Sequence, residues 1–320
     1  MTNTINGAPH IPVMLNEVLQ TLAPKTGEIY VDGTFGAGGY SRAILDSADC
    51  TVIGIDRDES AIEMASSWKD KYGERLKIFH SNFANAKSCL QDIGIDKVDA
   101  VILDLGVSSM QIDRQERGFS FRFDGPLDMR MDRSSGETAA DLVNTLSEED
   151  LANVIYQYGE EKASRRVAAA IIKARAEKKI ETTSELANIV RSVVHVSPKV
   201  RIDPATRTFQ ALRLKVNDEL GEVEALLDST LDILKDGGRL VVVTFHSLED
   251  RIVKNFLIKH GKQAAAPSRY LPATASSEKP AFSILTKKAL IPTDSEISQN
   301  PRSRSAKLRA AQRIYSEVAA

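Results

Sequence analysis

The stretch EIYVDGTFGAGGY (28–40), followed by CTVIGID (50–56), decides how this chain is built. The run ending at Asp32 suits a short buried strand, and four of the next seven residues are glycine. Glycine lets backbone approach a ligand closely. The helix expected over 41–47 would present free N–H groups and its positive dipole end at the same turn. A second apolar strand ends at Asp56, 20 residues beyond Gly36, where a carboxylate can accept hydrogen bonds from both hydroxyls of a ribose. Strand, glycine turn, helix, strand and acid in that order imply a nucleotide-type cofactor at the carboxyl edge of a parallel sheet.

Working outward, 76–80 (LKIFH) and 100–104 (AVILD) read as third and fourth strands, with a helix from 59 to about 71 before them. Alternating strands and helices imply βαβ units whose sheet is buried on both faces. Phe83 follows the third strand where an adenine ring would lie, and Asp104 ends the fourth at the ligand-binding edge. Residues 105–133 are rich in Gly, Ser, Asp and Arg without a period and read as a long functional loop. From 139 to about 196 the pattern is wholly helical, with starts at Ser147 and Thr183 and a stop at Gly159. Phe209, Leu212, Val216, Leu220 and Val223 recur at steps of three and four, predicting one long helix from 204 to 234. Strands are expected at 237–245, 282–290 and 305–314, with an Ala/Ser/Pro-rich connection over 261–281. The expectation is an α/β, Rossmann-like doubly wound sheet interrupted by an all-helical domain, divided as 1–132, 133–204 and 205–320.

Composition narrows the class. Apolar residues make up 42% and charged residues 27% of 320, as in ordinary globular proteins. No apolar run could span a bilayer, and 1–15 lacks the features of a secretion signal. Two cysteines, Cys50 and Cys89, offer neither a disulfide framework nor a zinc site, which fits the cytoplasm and predicts no metal. Net charge is −2, yet 261–320 holds ten basic residues against four acidic ones. A second basic run comprises Lys162, Arg165, Arg166, Lys173, Arg175, Lys178 and Lys179. Segregated positive charge serves phosphate backbones through counterion release, and it also makes solvated helix faces. A dehydrogenase would share the glycine turn and Asp56, but its G-x-G-x-x-G spacing fails at Ser41 counted from Gly36 and at Phe35 counted from Gly33.

Together with the glycine turn, the stretches Asp104–Gln111 and RGFSFRFDGPLDMRMD (117–132) resemble the MraW/RsmH family. So do HIPVMLNEVL (10–19), YGEEKASRR (158–166), PATRTFQALRLKVNDEL (204–220), FHSLEDRIVK (245–254) and NPRSRSAKLR (300–309). These cover nearly the whole chain in order. The resemblance implies a class I S-adenosylmethionine methyltransferase fold and methylation of a cytidine N4 in the decoding region of 16S ribosomal RNA. The small ribosomal subunit would then be the partner. It also implies cofactor binding by Gly36, Gly38, Gly39, Tyr40, Asp56, Phe83, Asp104 and Gln111. Three positions depart from the family pattern: Tyr40 stands where histidine is frequent, Met110 where proline is, and Asp203 where histidine is.

Chemistry at an exocyclic amine differs from chemistry at C5, which normally needs a cysteine nucleophile. Neither cysteine ends the fourth or fifth strand. Acceptors that hydrogen-bond the amino protons can pull the nitrogen toward a tetrahedral shape and remove a proton; Asp104, Ser108, Ser109 and His246 are the candidates. Arg117, Phe119, Phe121, Arg122, Arg130 and Arg133 interleave cations with rings, a composition suited to an unstacked nucleotide, and Asp128 lies among them. Arg207, Arg213, Arg302 and Arg304 could meet phosphates or pair with local carboxylates such as Asp218 and Glu219. Rival readings are a methyltransferase acting on another RNA base or a protein, and a non-catalytic RNA-binding assembly factor.

Overall fold

A computed structural model describes residues 4–5, 8–9, 12–195, 202–261 and 280–314. They fall into two compact units, Met1–Gly106 with Leu220–Ala320, and Val107–Glu219. The second unit is therefore wider than the expected 133–204: it takes in the polar loop and the helix Thr206–Val216. Most of 261–281 lies outside the described residues.

The first unit carries a sheet of β1 (Ile29–Asp32), β2 (Thr51–Asp56), β3 (Leu76–His80), β4 (Val98–Asp104), β5 (Leu234–Thr244), β6 (Phe282–Ile284) and β7 (Lys307–Arg313). Their order is β3-β2-β1-β4-β5-β7-β6. β1 to β5 are parallel, and β7 runs antiparallel to both its neighbours. Both faces are covered because successive residues of the central strands are apolar and point to opposite sides. Val31, Ile53, Ile55, Val101, Leu103 and Val242 enter one core; Tyr30, Val52, Ala100, Ile102, Val241 and Val243 enter the other. The chain reverses direction of build between β1 and β4. Ligands of doubly wound sheets bind at that switch point, beyond the strands' carboxyl ends.

In the second unit, Ala139–Thr145, Glu148–Gly159, Ser164–Glu177, Thr183–Val193 and Thr206–Val216 are helices around their own apolar core. Thr138, Ser147 and Thr182 cap their helices by accepting a hydrogen bond from the third backbone N–H beyond. Gly159 does end its helix, but its lack of a side chain serves packing. A Cβ there would lie 2.5 Å from the Arg207 carbonyl oxygen. The left-handed residue is instead Glu160.

Three expected elements are interrupted. The single helix over 204–234 is two, Thr206–Val216 and Glu219–Ile233, because Asp218 is left-handed at φ 47. Both halves are amphipathic, so the periodicity ran through the break. The strand over 282–290 stops at Ile284: the Thr286 hydroxyl accepts the Ala310 N–H at 2.9 Å in place of a strand carbonyl. The helix over 59–71 ends at Ala65, and Trp68 turns inward to stack on Phe35. No helix among the described residues is long and apolar enough to cross a membrane, and none of their acid, histidine and cysteine side chains group as a metal site.

Asn217 closes the polar loop of the second unit. It is buried, accepts the Met131 N–H at 2.8 Å, and donates to the carbonyls of Met129 at 2.8 Å and Arg213 at 2.9 Å. Removing it leaves buried backbone groups unpaired, at about 1–3 kcal/mol. Asn217→Ala is expected to lower the urea midpoint by that free energy with an unchanged m-value; an unaltered midpoint would show that the loop does not depend on this side chain.

Candidate active site

The glycine turn of the first unit is held by three short links. The Asp56 carboxylate accepts the Gly36 N–H at 2.7 Å and the Asp58 N–H at 2.8 Å, so each oxygen keeps a lone pair for a further donor. Asp32, fully buried, accepts the Ser41 hydroxyl at 2.6 Å and ties the end of β1 to the helix Gly39–Ser47. The Thr34 hydroxyl accepts the Asp104 N–H at 2.6 Å, joining the turn to β4. Gly36 and Gly38 are left-handed at φ 52 and 73, which costs other residues strain. Phe83 packs partly buried on the adjoining core, and its Cβ would be 3.2 Å from a Cβ on Gly33. Gly36, Gly38, Gly39, Asp56, Phe83 and Asp104 thus lie around one turn. Tyr40 follows these glycines in the helix Gly39–Ser47. Its ring is buried in the core and its hydroxyl donates to the Val13 carbonyl.

Three acids converge behind this turn. Burial pushes Asp32 up to about 6 against the hydrogen bond from Ser41, and burial likewise pushes Asp56 up to about 6. Asp104 is raised well above the ordinary carboxylate range, first by burial and then by the charges of Asp32 and Glu249. Its Oδ1 is enclosed and has no hydrogen-bond partner among the described residues. Buried acceptors without partners are rare, and this one ends a central strand at the ligand edge. Asp32 and Glu249 lay outside the expected set; the signal for Asp32 was a carboxylate closing a buried strand.

Glu249 changes the reading of His246. Its Oε2 accepts the N–H groups of Phe245 at 2.8 Å and His246 at 3.3 Å, while its Oε1 lies 2.9 Å from His246 Nε2. The Glu249 N–H in turn approaches His246 Nδ1 at 3.5 Å. His246 thus lies against Glu249 in the turn after β5, although its Nε2 makes no hydrogen bond among the described residues. Sequence spacing could not show this, because it depends on the turn closing on itself.

The second unit uses several expected substrate residues internally. Ser108 and Gln111 form a capping box: the Ser108 Oγ accepts the Gln111 N–H at 3.2 Å and the Gln111 Oε1 accepts the Ser108 N–H at 3.0 Å. Ser109 opens that helix, its side chain outside those described. Arg117 is buried and donates to the carbonyls of Arg130 at 3.1 Å and Met131 at 2.9 Å, so it staples the loop and is withdrawn from the surface. Asp128 and Arg130, expected to meet substrate separately, pair with each other through two bonds of 2.8 and 3.1 Å. That pairing and burial oppose each other, and the Asp128 carboxyl ends below its usual range. Phe119 packs against the helical core, and Phe121 meets Phe209 edge-on at 4.8 Å with the Arg191 guanidinium 5.4 Å from its centroid. Arg207 is more than half exposed, 3.7 Å from Glu161. Arg213, partly buried, holds Glu219 at 2.7 and 2.9 Å. In the first unit, Arg302 and Arg304 are exposed on the turn Pro301–Ser305.

The residues around the turn fit S-adenosylmethionine. Asp56 has acceptor capacity left for the ribose, the left-handed glycines leave room for backbone approach, and the enclosed Asp104 Oδ1 lacks a donor among the described residues. The sheet order with its antiparallel β7, the glycine turn after β1 and the acids ending β2 and β4 define an S-adenosylmethionine-dependent methyltransferase. Proteins named ribosomal RNA small subunit methyltransferase H are similar from end to end. That of Paramagnetospirillum magneticum is 54% identical over 306 residues, covering 95% of this chain and 96% of the relative. That of Rickettsia bellii is 52% identical over 307 residues, covering 96% and 99%. The chain belongs to the MraW methylase family, which matches residues 7–314.

The raised Asp104 carboxyl has a stability signature. An acid whose folded value exceeds its unfolded one, about 3.9, contributes stability fully below that pH and loses it as pH rises through the folded value. Asp104→Asn cannot ionise, so the ligand-free protein should melt higher than wild type at pH 7.5, by roughly 2–4 °C per kcal/mol relieved. Near pH 4 the two should coincide. Equal melting temperatures across the range in a thermal scan would remove the buried-charge account.

Proposed function

We propose that this chain transfers a methyl group to N4 of a cytidine in the decoding region of 16S ribosomal RNA, with the small ribosomal subunit as partner and the cytoplasm as its place of action. The observation that carries the reading is the end-to-end identity of 52–54% with proteins named ribosomal RNA small subunit methyltransferase H. The N4 position is favoured by the chemistry at the sheet edge. Cys50 and Cys89 are buried in the cores flanking the sheet, and burial raises both thiols, so neither is placed as the nucleophile that C5 methylation requires. Asp104 offers an enclosed acceptor instead.

S-adenosylmethionine, when bound, supplies a methyl group already activated as a sulfonium. The protein's task is then alignment, with proton handling second. Asp56 orients the ribose end through its remaining lone pairs, and the backbone of 36–40 sets the depth of the amino-acid end. Asp104 Oδ1 accepts a hydrogen bond from the cytidine amino group, localising the nitrogen lone pair toward the methyl carbon. Its raised proton affinity lets it take the amino proton as the N–C bond forms. Gln111 and Ser108 contribute as one capped turn rather than as separate groups.

Exposed cations suit the RNA backbone. Lys162, Arg165, Arg166 and Lys173 lie exposed on or beside Ser164–Glu177, and Arg302 and Arg304 on the turn before β7. Each phosphate neutralised releases counterions, so affinity should fall steeply with salt.

Two measurements test this. Small subunits from cells lacking the protein, incubated with labelled S-adenosylmethionine, should gain N4-methylcytidine by nucleoside mass spectrometry. Asp104→Ala should reduce the rate at least about a hundredfold. A different methylated nucleoside would overturn the N4 assignment, and no transfer to subunits or free ribosomal RNA would overturn the RNA substrate. Separately, Arg165→Ala with Arg166→Ala should weaken subunit binding and lower the salt slope by about two at unchanged cofactor affinity. An unchanged slope would move the RNA surface elsewhere.

A further inference from the structure

Trp68 is the only tryptophan in the chain, and none of the readings above uses it. It lies just past the helix Glu59–Ala65, and three neighbours lock its ring. Phe35 stacks on it at 5.8 Å and 20°, the Arg42 guanidinium lies 4.9 Å from its centroid, and Tyr72 meets it edge-on at 5.9 Å. The ring rests on the cofactor turn itself: a Cβ on Gly38 would lie 2.3 Å from Trp68 Cζ2 and 2.5 Å from Cη2. Cζ2 is bonded to the carbon that carries Nε1, so the indole N–H lies next to the edge that meets Gly38.

That N–H is enclosed and has no hydrogen-bond partner among the described residues. Indole can only donate, and a donor sealed from water without an acceptor costs stability. A locked ring cannot swing out to find one. No described residue supplies the acceptor, and the turn beside the ring is where the fold places a ligand. The surroundings select an anionic oxygen: Arg42 lies over the ring and donates to the Gly38 carbonyl at 3.3 Å, and Gly38 caps the start of the helix Gly39–Ser47.

We propose that Trp68 is a further cofactor-binding residue of this chain, its ring walling the turn at Gly38 and its indole N–H donating to the amino-acid carboxylate of the bound methyl donor. The inference rests on the methyltransferase class of the site and is independent of which nucleoside is methylated. Being the sole tryptophan makes it its own reporter.

Titration of the full-length protein with S-adenosylhomocysteine should change the Trp68 emission, with a midpoint equal to the calorimetric Kd. Trp68→Phe keeps a ring at Gly38 and removes the donor. It should weaken S-adenosylhomocysteine binding about tenfold yet leave binding of 5′-methylthioadenosine, which has no carboxylate, unchanged. Equal S-adenosylhomocysteine affinity in both proteins overturns the proposal, and so does an equal loss for both ligands, which would reduce Trp68 to packing. Calorimetric saturation without any change in wild-type emission overturns it independently of the variant. If wild type binds neither ligand, the cofactor reading itself falls, which is a distinct result.

Discussion

One hydrogen bond organises the first unit: the Gly36 N–H donating to Asp56 at 2.7 Å. It crosses from the end of one strand to the turn following its neighbour, so two strand ends and a helix start cannot move separately. The bond also explains why the turn needs glycine, since only a left-handed backbone at 36 aims its N–H toward β2. Asp32 and Thr34 extend the same logic to the helix Gly39–Ser47 and to β4. The cost is electrostatic. Three carboxylates are crowded into a buried edge, and the protein tolerates their raised proton affinities because a cationic ligand belongs there.

The first unit was largely legible in the sequence because its rules are local. A strand of alternating apolar residues, a glycine turn and an acid at the next strand's end are readable one segment at a time. β1 to β4 stand close to their expected places, and Asp56, Phe83 and Asp104 lie around one turn. What escaped depended on closure. Glu249 folds back onto His246, and Arg117 reads as a nucleotide ligand until its loop wraps around it. A side chain's partner three residues on, or fourteen, cannot be told from composition. The break at Asp218 escaped for another reason: both helices present an apolar face, so the periodicity carries on across a left-handed residue.

In the second unit a loop rich in arginine and phenylalanine is largely structural. Arg117 and Arg130 are spent on carbonyls and on Asp128, and Phe119 and Phe121 on the helical core. Exposed cations of this unit include Arg122 and Arg133 in the loop and Arg165 and Arg166 on the helix Ser164–Glu177.

The division of the sheet-bearing unit between the two ends of the chain also governs how the protein comes into being. β4 pairs with β5 across a sequence gap filled by the whole helical unit, and β7 then pairs with β5 from the far end. On a translating ribosome, the first four strands emerge with β4 as an open, apolar edge and wait for 234–244 to be made. The helical unit, whose contacts are local, can condense in that interval. Its early folding shortens the effective distance between Gly106 and Leu220. That lowers the entropy of joining the two halves and limits the time a hydrophobic edge stands uncovered.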